Sequence, residues 1–179
     1  MDLRMNAVEV KQIEEENYHL LKARRMLLDS DGGHQLLSHE AAYHRLYESL
    51  SDEEIREIAK VDFSMFALNV DPSDLRDIVS KEISFRSMVD AEKLVYESNL
   101  LVLANRWQKS ITKHPNEINY TTKRSVYEAI SKLTFTEIQV VARRNKLLTK
   151  IVITDERLSY MLTYSDLPRA ERNRIIVTG

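Results

Sequence analysis

The segment Leu133-Thr134-Phe135-Thr136-Glu137-Ile138 opens a stretch, 133–155, whose pattern occurs twice in the chain. Eighty-three residues earlier, Leu50-Ser51-Asp52-Glu53-Glu54-Ile55 has the same arrangement. In each copy a hydroxyl residue, Ser51 or Thr134, is followed three positions later by a glutamate. That spacing is typical of a capping box, in which the hydroxyl and the glutamate each bond to the other residue's backbone amide. The sequence therefore predicts that a helix begins at both places.

An alternating apolar segment follows each of these helices. Residues 65–70 and 147–153 both place apolar side chains at every second position, which is the period of a short β-strand. An isolated strand leaves its backbone hydrogen-bonding groups unpaired. We therefore expect the two segments to pair with each other, or each with the same segment of a second chain.

The similarity extends to the helices that precede these units. Leu20-Leu21-Lys22-Ala23-Arg24-Arg25 matches Leu101-Val102-Leu103-Ala104-Asn105-Arg106 at an offset of 81. A period near 80 residues is too long for a solenoid repeat and suits a duplicated small domain. The sequence thus predicts an all-α, mostly helical fold of two modules, 1–85 and 86–179, related by a pseudo-two-fold and sharing a long helix around 84–112.

Apolar periodicity and breaker residues predict the remaining helices. The predicted spans are about 3–28, 39–49, 52–62, 72–79, 122–132 and a helix that opens at Thr154-Asp155-Glu156 and ends near 162. The first of these is long for a small domain. It is either a dimerisation helix, which would make the protein a homo-oligomer, or an ordinary core helix.

Composition excludes several classes of protein. No apolar run reaches the roughly 20 residues of a membrane span, and the acidic N-terminus lacks an export signal, so we expect a cytoplasmic protein without membrane contact. The chain has no cysteine, which excludes disulfides and cysteine metal sites. His34, His39 and His44 recur every five residues, about 140° apart on a helix, so they would not converge on one metal ion. No glycine-rich phosphate loop is present, and we expect no metal, no cofactor, no catalytic residue and no enzymatic activity.

Charge is distributed unevenly. Residues 1–85 carry 10 Lys/Arg against 18 Asp/Glu, and residues 86–179 carry 16 against 10, so their formal charges are −8 and +6. A basic half beside an acidic half indicates a polyanion-binding face next to a face for another partner. Alternatively, the two halves complement each other across an interface.

Basic residues concentrate around the second capped helix. The candidate nucleic-acid contacts are Arg143, Arg144, Lys146, Lys150, Lys123 and Arg124, with Arg169, Arg172 and Arg174 in the tail. Such side chains can neutralise phosphates. The alternative explanation is that lysine and arginine are favoured at helix C-termini by the helix dipole.

The repeated pattern resembles that of a known family. The second half has Ala104-Asn105-Arg106, Leu133-Thr134, Glu137, Ala142, Asn145, Leu147-Leu148 and Ile151-Val152-Ile153. The first half keeps Ala23-Arg24-Arg25, Leu50-Ser51, Glu54-Ile55, Ala59 and Leu68-Asn69-Val70-Asp71. These residues, over roughly 15–85 and 96–163, resemble FlhD, the subunit that with FlhC forms the bacterial flagellar transcriptional activator.

The resemblance implies a transcriptional activator subunit with an FlhC-like protein partner, in which two family modules that normally form a dimer are fused. Two departures are visible. A cysteine that can lock the family dimer corresponds to Phe66 and Thr149 here, and only 165–179 remain for the helix that follows the extended segment in the family. The alternative function is a protein-interaction module that binds an FlhC-like partner, or competes with the regulator, without contacting DNA. An enzyme of unknown activity is the remaining alternative.

Overall fold

The computed structural model describes residues 7–73, 75, 87–112, 123–164, 166–168, 170, 171 and 174. Its first half contains α1 (Ala7–Leu28), α2 (Gly33–Leu36), a 3-10 helix (Ser38–Tyr43), α3 (His44–Ser49), α4 (Asp52–Ile58) and β1 (Phe66–Leu68). Its second half contains α5 (Asp90–Thr112), α6 (Arg124–Ile130), α7 (Phe135–Ala142), β2 (Thr149–Ile151) and α8 (Asp155–Thr163). The predicted mostly helical fold is confirmed.

Both capping boxes are formed. The Ser51 hydroxyl accepts from the Glu54 amide at 3.2 Å, and the Glu54 carboxylate accepts from the Ser51 amide at 2.7 Å. At the start of α7 the corresponding distances between Thr134 and Glu137 are 3.3 and 2.6 Å. Thr154 also caps α8, where its hydroxyl accepts from the Arg157 amide at 3.3 Å, without a reciprocal carboxylate. These helix starts confirm the predictions from sequence.

The two alternating segments pair with each other. β1 and β2 form an antiparallel two-stranded sheet in which Phe66 lies opposite Ile151, Ala67 opposite Lys150 and Leu68 opposite Thr149. Two further bonds extend the ladder: Asn69 N donates to Leu148 O at 2.6 Å, and Val152 N donates to Met65 O at 2.9 Å. The predicted proximity of 65–70 and 147–153 is confirmed.

The long helices α1 and α5 form the centre of the molecule. They pack against each other, α5 also packs against α6 and α7, and α4 packs against α8. The shared core contains Leu20 and Leu21 of α1 together with Val102 and Leu103 of α5, all fully buried. One continuous apolar core therefore joins the two halves.

Several helix boundaries differ from those predicted. The helix predicted over 39–49 breaks at Glu40, whose backbone leaves the helical region (φ −116°, ψ 27°) as its side chain turns inward. The predicted helix 52–62 ends at Ile58, because the carbonyls of Ala59 and Phe63 accept from the side chain of Asn17. The long helix predicted from 84 begins at Asp90.

Parts of four predicted helices lie outside the described residues. Residues 3–6 of the predicted helix 3–28 are among these, and so are 74 and 76–79 of the helix predicted over 72–79, 84–86 of the long helix and 122 of the helix predicted over 122–132. In the part that is described, the Asp71 carboxylate accepts from the Ser73 amide at 2.9 Å. Within the described ranges, no helix has the length and apolar character needed to cross a membrane.

Candidate functional site

Four of the predicted nucleic-acid contacts lie between α7 and the end of β2. Arg143 and Arg144 follow the last turn of α7 and are half-buried, whereas Lys146 is exposed in the turn before β2. Lys150 is the exposed middle residue of β2, between two buried neighbours. We call these four residues the basic turn.

The cations of the basic turn differ in how they are held. The Arg143 guanidinium lies over the ring of Tyr96 in α5, 5.5 Å from its centroid. This contact draws Arg143 towards the protein. Lys146 and Lys150 extend outwards, and within the described chain neither has a carboxylate partner. The two lysines are therefore the most accessible cations of the basic turn.

Lys123 and Arg124 lie at the start of α6. Both are exposed, and Arg124 Nε is 2.9 Å from Glu128 Oε1, one helical turn further on. An exposed pair of this kind contributes little to stability. Along the chain, Lys123 and Arg124 lie at the start of α6, and the basic turn follows the end of α7. Arg174 in the tail is exposed, and Arg169 and Arg172 lie outside the described residues.

A buried asparagine of α5 holds the basic turn in place. Asn99 Nδ2 donates to the Ala142 carbonyl at 3.2 Å and to the Lys146 carbonyl at 2.9 Å. Its Oδ1 accepts from the Leu148 amide at 2.9 Å. The side chain thus bonds both ends of the segment that carries Arg143, and it fixes that backbone relative to α5.

Asn17 of α1 makes the same set of contacts in the first half. Its Nδ2 donates to Phe63 O at 3.0 Å and, weakly, to Ala59 O at 3.5 Å, and its Oδ1 accepts from Met65 N at 2.9 Å. Both asparagines are fully buried. Each long helix therefore holds the turn that leads from a capped helix into a strand.

A buried ion pair joins the first half to β2. Arg24 Nε and Nη2 donate to the two carboxylate oxygens of Glu40 at 2.7 and 2.9 Å. Arg24 also donates to the Thr149 hydroxyl at 3.2 Å, and Glu40 accepts from the Ile151 amide at 3.0 Å and the Tyr47 hydroxyl at 2.8 Å. Burial acts to raise the pKa of Glu40, but the charge and hydrogen bonds of Arg24 outweigh it, so that pKa lies below its usual value.

A second buried ion pair joins α5 to the first half. Arg106 Nη1 and Nη2 donate to the Glu16 carboxylate at 2.9 and 2.7 Å, and Nη2 also donates to the Ser64 hydroxyl at 3.2 Å. Here too burial acts to raise the pKa of Glu16, and the Arg106 guanidinium overcomes it and lowers that pKa. Burial, with the nearby charge of Arg106, lowers the pKa of Lys109 to about 8.

Sequence reasoning missed the asparagines and the two ion pairs. Most of their partners lie 16 to 125 residues away. An arginine within a helix is also more often a surface residue. One signal was present in the sequence. Asn17 and Asn99 each fall among the apolar positions of a long helix, where an asparagine has low helix propensity and needs partners when buried.

The three histidines lie on separate elements and not on one continuous helix. His34 belongs to α2 and His44 to α3, and their Nδ1 atoms are 3.4 Å apart. His39 lies in the 3-10 helix, with Nε2 3.6 Å from the Glu40 carboxylate. Across the described part of the chain, no three His, Asp or Glu side chains are arranged to hold a metal ion.

Comparison with known proteins gives no match: no family model, curated protein or solved structure is similar to this chain.

Proposed function

We propose that this protein is a transcriptional activator subunit of the FlhD type, with two family modules fused in one chain. It acts in a complex with an FlhC-like protein partner in the cytoplasm, and it contacts DNA through Arg143, Arg144, Lys146 and Lys150. Lys123 and Arg124 add secondary phosphate contacts. The proposal includes no enzymatic activity and no cofactor.

The repeated asparagine contacts support the fused modules. Asn99 lies 82 residues after Asn17. The backbone amides that donate to their side-chain oxygens, those of Met65 and Leu148, are 83 residues apart. The buried guanidiniums of Arg24 and Arg106 are also 82 apart. The offset of 82 between these arginines differs by one from the offset of 81 between the matched sequences, which placed Arg25 opposite Arg106. The contacts therefore favour Arg24 as the counterpart.

The register of the sheet supports a pseudo-two-fold between the modules. An offset of 83 relates Ala67 to Lys150, and these two residues are paired at the middle of the ribbon. The same offset exchanges the two outer hydrogen bonds, from Asn69 N to Leu148 O and from Val152 N to Met65 O. Reciprocal contacts of this kind are characteristic of an isologous dimer interface.

The single observation that carries the DNA-binding function is the basic turn itself. Lys146 and Lys150 are exposed, and Asn99 fixes the intervening backbone, so the cations extend from a positioned support. Phosphate contacts made by such residues bind all sequences and position a protein on the duplex.

The test is a gel-shift assay with a flagellar promoter fragment, with and without a co-expressed FlhC-like partner. Changing all four residues of the basic turn to Gln should weaken binding to every sequence and flatten the salt dependence by up to about 0.9 log unit per lost contact. The matched control changes Lys11, Arg45, Arg56 and Lys60 of the first half to Gln. The DNA-binding function is refuted if the folded quadruple variant of the basic turn binds with wild-type affinity and salt slope.

The second candidate is a protein-interaction module that binds an FlhC-like partner, or competes with the regulator, without contacting DNA. The position of Arg143 against Tyr96 favours it, because a side chain held by a neighbouring ring has less freedom to reach a phosphate. In that case the quadruple variant would assemble normally, and charge reversal at Glu53 and Glu57 would prevent assembly.

A further inference from the structure

A groove runs between α1 and α5 on the surface of the helix pair. Two adjoining clefts, of about 780 and 530 Å³, share Met26, Leu94 and Glu97 as lining residues. On α1 the lining positions include Tyr18, Lys22 and Met26, which are one helical turn apart. Positions at this spacing lie along one face of a helix. The α1 wall of the groove is therefore one face of a long helix, and the second wall includes residues of α5.

The lining of the groove includes apolar side chains that the protein leaves accessible. Met26 is 42 % exposed and Val89 is 66 % exposed, while Leu94 and Leu101 are partly buried. Large apolar side chains of a folded protein are more often buried. When they are grouped in a concave surface with polar residues at its margin, they indicate an interaction site.

The lining of the larger cleft is also acidic. Asp29, Asp31, Asp90 and Glu97 line it together with a single cation, Lys93. Among the residues that the structure describes, none of these four carboxylates is within ion-pair distance of a lysine or arginine. A basic partner would therefore meet charges that no side chain in the described chain neutralises.

We propose that this groove binds a cationic amphipathic helix of a protein partner. The apolar face of that helix covers Met26, Val89 and Leu94, and its flanking lysines or arginines face the carboxylates. The part of α1 from residue 18 to its end at Leu28 is about 15 Å long at 1.5 Å per residue, which accommodates about three turns of a third helix. Helix-in-groove recognition of this kind uses apolar anchors at i, i+3, i+4 and i+7.

The inference rests on the proposed function in one respect, since it supplies the surface by which the subunit would bind its partner. The groove and the basic turn are different surfaces. One takes a cationic protein segment, and the other takes phosphates.

The experiment measures the binding of a fluorescein-labelled 15-residue peptide of leucine and lysine, patterned as an amphipathic helix, to the full chain by anisotropy. We expect saturable one-to-one binding that weakens as salt is raised, and no binding of the peptide in which every lysine is glutamate. A failure of the lysine peptide to saturate at about 1 mM, or equal binding of the two peptides, would overturn the inference.

Matched variants locate the site. Val89→Asn should weaken binding about tenfold, the value of one buried valine contact, whereas Val8→Asn, on a side chain that is 67 % exposed outside the groove, should change it less than twofold. Asp31→Lys with Glu97→Lys should also weaken binding at least tenfold. Equal effects of the two valine variants would overturn the site.

A charge control and a second readout complete the design. Glu48→Lys with Asp62→Lys changes the net charge by the same amount on exposed residues outside the groove, and it should alter binding less than twofold. Promoter binding is measured on the same preparations. Absence of peptide binding with promoter binding intact overturns the groove alone, whereas peptide binding without promoter binding refutes the DNA function alone.

Discussion

Replacement of Asn99 by alanine tests whether one buried side chain positions the basic turn. The change removes three hydrogen bonds, to Ala142 O, Lys146 O and Leu148 N, at 3.2, 2.9 and 2.9 Å. At about 1 kcal/mol for each bond, the free energy of unfolding should fall by about 3 kcal/mol. For a chain of 179 residues this corresponds to a fall in Tm of about 6–12 °C.

Asn17→Ala is the matched control. It removes the equivalent contacts in the first half, but one of them is only a 3.5 Å bond, so the loss should be slightly smaller, about 2–3 kcal/mol. Urea unfolding measures both variants. If the basic turn contacts DNA, Asn99→Ala should also weaken promoter binding under conditions where both variants are folded, and Asn17→Ala should not. A loss below about 1 kcal/mol for both variants would refute the reasoning.

The remaining predictions concern caps and buried charges. Ser51→Ala and Thr134→Ala should each lower the free energy of unfolding by about 0.5–2 kcal/mol, and unchanged urea midpoints would contradict the observed capping boxes. Arg24→Met leaves the Glu40 carboxylate buried without its cation and should cost about 3–5 kcal/mol, measured in the same way. Glu16 and Glu40 have folded-state pKa values below 4.5, so their stabilisation is present above that pH and is lost as the pH falls through the folded-state values. In urea unfolding at acidic pH, the free energy of unfolding of the wild type should therefore fall steeply as the pH is lowered. The fall should be shallower in Glu40→Gln, and the same pH dependence in both proteins would contradict the prediction.

The features that could be predicted from sequence are those whose partners are close in the chain. The cap at Thr134 needs a glutamate only three positions away, and both residues are visible together. The strands were predictable because alternation is a property of the segment itself. The pairing of the two strands could also be predicted, because the backbone hydrogen-bonding groups of each segment need a second strand.

The features that sequence reasoning missed depend on residues brought together by the fold. Glu40 interrupts a predicted helix because its carboxylate is drawn to Arg24, 16 residues earlier, and to the Ile151 amide, 111 residues later. The same interruption changes the histidine geometry, since His34 and His44 lie on separate helices. For the candidate site, the residue types were predictable, but the bond from Asn99 to Lys146 and the contact from Arg143 to Tyr96 were not.

The pairing of β1 with β2 has a consequence for the order in which the chain folds during synthesis. Leu68 leaves the ribosome 83 residues before Ile151, an interval of about 4–17 s at the usual rate of translation. During that time the edge of β1 has no partner strand, and Glu16 has no Arg106 to neutralise it in the core. Until the second half emerges, the first half therefore has an open strand edge and an uncompensated carboxylate. Nascent chains stalled before residue 106 should be held in a protease-sensitive state, and those that extend beyond the tunnel past 151 should become resistant.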